Sequence, residues 1–208
     1  DDLGCGCFEA GPSGCDDTCG STLENDDCGV CGGDGTTCLA TLSLGAFDSS
    51  GSLEIVYDFG GDVLGFQFDV SGLSLSSASG GAAGDAGFLV SVGDDSVLGI
   101  SLTGGTILAG SGVLTVLSFS DIIADVTQLS LGNGGAVVSS DGSTTLDLSF
   151  EGSIDHGDPD CAGTYYGDSW ESDCGCVDAD NSGDDCDDCA GVPNGDSWES
   201  DCGCVDAN

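Results

Sequence analysis

Leu53-Glu-Ile-Val-Tyr-Asp-Phe59, followed after three residues by Val63-Leu-Gly-Phe-Gln-Phe-Asp-Val70, is the stretch on which the fold turns. Leu53, Ile55, Tyr57 and Phe59 occupy every second position of the first run, and Leu64, Phe66, Phe68 and Val70 do the same in the second. Side chains along a strand point to alternate faces, so this period marks strands with one face buried. Similar runs, broken by Gly, Ser and Asp, predict further strands at 88–92, 97–102, 113–119, 126–131 and 144–150. Glycine makes up 38 of the 208 residues, and no stretch carries an apolar stripe of helical period. Many short alternating strands between turn residues predict an all-β fold, an antiparallel β-sandwich.

Outward from this centre the composition changes sharply. Residues 1–38 and 151–208 hold all 14 cysteines and 26 of the 38 acidic residues, whereas 39–150 hold no cysteine and seven of the eight Phe. The chain therefore divides into a Cys/Asp-rich segment (1–38), a sandwich (39–150) and tandem repeats (151–208). The centre is long enough for one core, and the polar flanks need staples instead. The chain has no Lys or Arg and a formal net charge of −38. Such a charge favours solubility but opposes compaction. It also argues against nucleic acid and anionic membrane surfaces, which call for basic patches. No apolar run approaches the roughly 18 residues of a membrane span. No secretion signal is legible at the amino terminus, so the reading expects a mature or trimmed chain.

The flanks are repetitive. Gly167 to Ala179, GDSWESDCGCVDA, recurs letter for letter from Gly195 to Ala207, and Asp160-Cys-Ala-Gly163 recurs as Asp188-Cys-Ala-Gly191, a period of 28 residues. Aligned by its cysteines, the first flank is a looser copy. Cys5-Gly-Cys7 matches Cys174-Gly-Cys176, Cys15 and Cys19 match Cys186 and Cys189, and Cys28-Gly-Val-Cys31 matches Cys202-Gly-Cys204. Tandem identity signals a repeat array, and both chain ends fall inside a repeat, which suggests that the array continues.

Cys28-x-x-Cys31 and Cys186-x-x-Cys189 have the spacing of a zinc knuckle. The surroundings, nearly without histidine and without a core, are instead those of disulfide-stapled extracellular repeats. The candidates are Cys5, Cys7, Cys15, Cys19, Cys28, Cys31 and Cys38 in one flank, and Cys161, Cys174, Cys176, Cys186, Cys189, Cys202 and Cys204 in the other. Four cysteines per repeat allow three connectivities, and the sequence does not choose among them. Each flank holds an odd seven, so one per flank is available to another molecule or to further repeats.

The carboxylates show ligand spacing. Asp178, Asp180, Ser182 and Asp184 offer oxygens at alternate positions around the turn residue Gly183, which matches the first half of an EF-hand-type loop for Ca²⁺. Cys189 stands where the closing bidentate Glu would be, and Asp187 and Asp188 are candidate later ligands, beside Asp185. Asp168, Glu171 and Asp173 form a second set, repeated as Asp196, Glu199 and Asp201; Asp206 and Asn208 open the next copy of the loop. Asp1 and Asp2 of a following chain are candidates to complete that last site.

With these motifs in view, the flanks resemble the calcium-binding thrombospondin type 3 repeats of secreted proteins, and Cys28-Gly-Val-Cys-Gly-Gly-Asp34 resembles a pattern of large bacterial surface proteins. The centre is similar to a cohesin-type, jelly-roll-like sandwich through Val63-Leu-Gly-Phe-Gln-Phe-Asp-Val70 and Gly110-Ser-Gly-Val-Leu-Thr-Val-Leu-Ser-Phe119. Cohesins bind dockerins, so the resemblance implies a binding or scaffolding module. Catalysis lacks a candidate set: His156, the sole histidine, reads as an exposed linker residue, and Trp170 and Trp198 read as packing residues rather than sugar platforms. The expectation is an extracellular or cell-surface, non-catalytic protein that assembles with itself head to tail through Ca²⁺-loaded repeats. A cohesin-like module for a dockerin-type partner or a glycan is the second expectation.

Overall fold

The computed structural model describes Cys5 and residues 11–206. The first flank holds two short strands, β1 (Pro12–Ser13) and β2 (Thr18–Cys19). The sandwich follows as β3 (Leu39–Asp48), β4 (Ser52–Phe59), β5 (Val63–Ser71), β6 (Leu73–Ser79), a short helix α1 (Gly81–Asp85), β7 (Phe88–Val92) and β8 (Ser96–Ser101). It continues as β9 (Gly110–Ile122), β10 (Val126–Ser130), β11 (Ala136–Ser139), β12 (Thr145–Glu151) and β13 (Ser153–Asp155). The last flank carries two hairpins, β14 (Trp170–Ser172) with β15 (Gly175–Val177), and β16 (Trp198–Ser200) with β17 (Gly203–Val205).

Every predicted strand is present, and the molecule is an all-β sandwich. One layer runs β12-β3-β4-β9-β6. In the other, β5 pairs with β8 along one edge and with β11 and β10 along the other, while β7 extends β8 and β13 extends β10. The β11–β12 hairpin turns the corner between the layers. All pairings are antiparallel except β3 with β12, which run parallel from Leu39↔Asp147 to Ser43↔Glu151. The core lies between the layers. Leu53, Ile55 and Phe59 from β4 and Phe66, Phe68 and Val70 from β5 are all at most 2% exposed, so the opening stretch contributes to both walls.

The flank strands and, around the sandwich, β3, β6, α1, β11 and β13 were not among the predicted elements. Strand β3 was not predicted because Leu39 faces out while Ala40 and Leu42 face in, and a register shift separates Leu44 from Phe47. In β6 only Leu73 is buried; this Ser-rich strand is held by its ladder to β9 rather than by an apolar face. The helix α1 has no side-chain cap and a single buried residue, Ala83, so it exists through packing rather than propensity. The sandwich sheet also continues through β13 to Asp155, a few residues past the compositional break.

Candidate functional site

Among the described residues the cysteines form six bridges. They are Cys5–Cys19, Cys15–Cys31 and Cys28–Cys38 in the first flank, and Cys161–Cys176, Cys174–Cys186 and Cys189–Cys204 in the last. Cys28 and Cys31 go to different partners, as do Cys186 and Cys189, so neither Cys-x-x-Cys pair forms a zinc knuckle. Among the described residues Cys202 is unpaired and exposed, and Cys7 lies outside them. Among the described residues, three ligand groups converge at Cys161–Glu171–Cys176 and at Cys174–Cys186–Asp187. Both are built on a bridge, whose sulfurs are no longer thiolates.

Between the bridges, one loop is built three times. The Asp160 carboxylate accepts the N–H of Ala162 and Thr164 on one oxygen and that of Ser169 on the other. Asp188 does the same with Ala190, Val192 and Ser197, and Asp26 with Cys28, Val30 and Gly35. Seven residues on, Gly167, Gly195 and Gly33 lie against the carboxylate; a Cβ there would sit 2.1–2.2 Å from its oxygen. The preceding residue has positive φ in all three copies, at Tyr166, Asn194 and Gly32. Hydrogen bonds from backbone N–H groups, led by Gly35 for Asp26 and Thr164 for Asp160, hold these carboxyls below the usual range. At Asp188 burial pushes the other way and is outweighed by the N–H groups of Val192 and Ser197.

This corrects the alignment of the first flank. The segment from Asp26 to Gly35 matches Asp160 to Ser169, not the hairpin around Cys202, and its cysteines occupy different positions of the loop. The signal was available as Asp followed by Gly at +3 and +7 and Asp at +8; following the cysteines hid it.

The carboxylates chosen by spacing are placed as follows. Asp178, Asp180 and Asp184 are exposed around a turn in which the Asn181 N–H donates to the Asp178 carbonyl and the Gly183 N–H to Asn181 Oδ1. Asn181 Nδ2 also donates to Asp185, and the Asp184 N–H reaches Ser182 Oγ only at 3.5 Å. Asp187 is partly buried, and its carboxyl is pushed up by burial first and then by Asp173, Asp184 and Asp188. Three neighbouring carboxylates thus add to the effect of burial at Asp187. Glu171 and Glu199 stand opposite Cys176 and Cys204 in the two hairpins, while Asp168, Asp196, Asp201 and Asp206 are exposed and Asn208 is outside the described residues. Asp1 and Asp2 are outside them too. No three carboxylates share a coordination sphere among the described residues.

His156 is not an exposed linker residue. It is 6% exposed, with Nε2 2.8 Å from Thr127 Oγ1, Nδ1 3.0 Å from the Tyr166 hydroxyl, and its ring 5.0 Å from that of Phe47. Burial lowers its pKa, only partly offset by Asp155. Beside it the Tyr165 hydroxyl donates to Asp125, a hydrogen bond that pushes its pKa up to about 12. Together these contacts pin the first carboxylate loop of the last flank to the sandwich. The polar neighbours Ser153, Asp155 and Gly157 gave no sign of this burial, which is tertiary.

The sandwich has one further exposed feature. Leu89 pairs with Ile100 across β7 and β8, and Leu98 pairs with Gln67 of β5. The three apolar side chains share the outer face of that layer and are 37–53% exposed.

No family model matches the chain, and no curated protein matches it. Among solved structures it is similar to a non-cellulosomal cohesin from the hyperthermophilic archaeon Archaeoglobus fulgidus, at 16% identity and a TM-score of 0.39, over 54% of this chain and 86% of that one. It is also similar to the sixth cohesin of scaffoldin B from Acetivibrio cellulolyticus, solved in complex with a mutant Cel5 dockerin. That match has 17% identity and a TM-score of 0.41, over 56% of this chain and 98% of the other.

Proposed function

We propose that the protein is a non-catalytic, extracellular structural module that joins its neighbours head to tail through its repeats, with Ca²⁺ neutralising the flanks. The observation that carries this reading is the translation of one stapled unit along the chain. The bridge Cys161–Cys176 with hairpin β14–β15 is repeated 28 residues later as Cys189–Cys204 with β16–β17. A unit that repeats by translation makes heterologous contacts, which extend rather than close. Six bridges fit an oxidising compartment, and no helix is long and apolar enough to cross a membrane. A hard cation near Asp187 would relieve its repulsion with Asp173, Asp184 and Asp188, and Asp178, Asp180 and Ser182 would supply further oxygens. Electron microscopy and native mass measurement with Ca²⁺ and with chelator test the reading. Ca²⁺-dependent chains of particles are expected; single particles at every Ca²⁺ concentration would overturn it.

The outer face around Leu89, Leu98 and Ile100 favours a second reading, a cohesin-like scaffold module that binds a dockerin-type partner or a glycan. On that reading Ile100→Asp abolishes partner binding and leaves the fold intact, and unchanged binding by a folded variant would discard it.

A further inference from the structure

A short segment joins the sandwich to the last flank, and its carboxylates are placed unequally. Strand β13 ends at Asp155, whose carboxylate accepts the Gly157 N–H at 2.9 Å. The next loop opens at Asp160, whose carboxylate is held by the N–H groups of Ala162, Thr164 and Ser169. Between these tied acids, Asp158 and Pro159 are exposed and belong to no strand. Among the described residues neither the Asp158 carboxylate nor its main-chain N–H and carbonyl has a hydrogen-bond partner. Asp158–Pro159 is also the single Asp–Pro bond of the chain, since Pro12 follows Gly11 and Pro193 follows Val192.

That dipeptide carries a reaction of its own. An Asp side-chain oxygen can attack the carbonyl carbon of its own residue and close a cyclic anhydride, and because both atoms belong to one residue the attack needs no encounter. Before any other residue a second closure competes, in which the following backbone nitrogen attacks the side-chain carboxyl and forms an imide. Proline has no N–H, which shuts that route. Its nitrogen also leaves as a secondary amine, which takes up a proton more readily than the primary amine another residue would release. At Asp158 the attacking oxygen and the attacked carbonyl are both unengaged, whereas the carboxylates on either side are committed to backbone N–H groups.

We propose that Asp158–Pro159 is a self-cleavage site, at which acid severs the sandwich from its last flank without a protease. The Asp158 carboxylate attacks its own main-chain carbonyl, and the C–N bond to Pro159 breaks as the nitrogen takes a proton from the medium. Water then opens the anhydride and leaves two carboxyls on Asp158. One water is consumed, and nothing is oxidised or reduced. The titratable groups around the bond are Asp155 on β13, Asp160 in the loop, and the Tyr165–Asp125 pair, at whose hydroxyl the charge of Asp158 adds to that of Asp125. His156 takes no part, because Thr127 and Tyr166 engage both its ring nitrogens. The fold decides what the break releases. Three bridges lie before it and three after it, so no bridge among the described residues ties 1–158 to 159–208. Tyr165 on Asp125 and Tyr166 on His156 then become contacts between two separate chains. The inference goes beyond the head-to-tail reading and does not depend on it.

The test holds the full chain at about pH 3.5, within the ordinary range of Asp carboxyls, and follows it by denaturing mass spectrometry and amino-terminal sequencing. The expected result is loss of the intact mass in favour of fragments 1–158 and 159–208, with Pro159 as the new amino terminus. Asp158→Asn, which has no carboxylate to close the anhydride, and Pro159→Ala, which reopens the imide route, should both stay intact over the same time. Both positions are exposed, and circular dichroism of each variant at neutral pH checks that its sandwich has formed, so the comparison is between folded chains. An intact parent chain, a first cut at any other bond, or equal cutting of Asp158→Asn would overturn the proposal.

Discussion

Gly99 faces Phe66 across the β5–β8 pair, and a Cβ there would lie 2.2 Å from the ring tip. The ring cannot retreat, since it stacks on Phe68 and on Phe88 at 5.9 Å each. Gly99→Ala is therefore an overpacking change, expected to cost about 1–3 kcal/mol in urea unfolding. At Asp160 the issue is charge rather than volume. Its carboxyl titrates lower in the folded chain than the roughly 3.9 of an unfolded Asp, so its contribution is full above that value and is lost as the pH falls through the folded pKa. Limited proteolysis should leave residues 160–169 intact at neutral pH and cut them once the solution is well below pH 4. Asp160→Asn should be cut at neutral pH as well, because an amide N–H would then face the N–H of Ser169. Cleavage of neither would show that the carboxylate does not hold the loop.

Among the elements, the hairpins and β13 govern how the last flank is held. Removing the Cys174–Cys186 bridge with paired Cys→Ser changes should cost about 3 kcal/mol of local stability. It should also free Gly183 from Trp170, seen as a red shift in tryptophan emission. His156 anchors the other end. Its pKa is lowered on folding by burial, so its contribution is full above about 6.5 and fades as the pH falls through the folded value. The protection factor of the His156 amide, whose N–H donates to the Asp125 carbonyl, should fall between neutral and mildly acidic pH, and His156→Ala should remove that dependence. Strands such as β4 and β5 were legible because a single burial alternation runs their length. Strand β6 was not, because an edge strand with one buried side chain takes its stability from a partner the local sequence does not mention. The Asp26 loop escaped a reading that trusted cysteines, since the conserved geometry is carried by an Asp and two Gly while the bridges shift around it.

For the whole molecule, 38 acidic residues with no Lys or Arg make the ionic environment part of the stability. Monovalent salt screens repulsion over a Debye length of about 8–10 Å and should raise the melting temperature. Ca²⁺ should raise it further at matched ionic strength, and the excess should disappear in a variant with Asp184 and Asp187 both changed to Asn. Equal effects of the two salts would mean screening alone. The parallel pair β3–β12 has a consequence of another kind. The chain enters the sandwich at Leu39 and leaves β12 at Glu151, and these points lie at opposite ends of two neighbouring strands. Tension applied through the two flanks, once β13 has peeled from β10, pulls those strands lengthwise past each other. Their shared ladder is then loaded in shear, and its bonds must fail together rather than open one at a time like a zip. The module is strongest along the line on which its stapled flanks would carry a load.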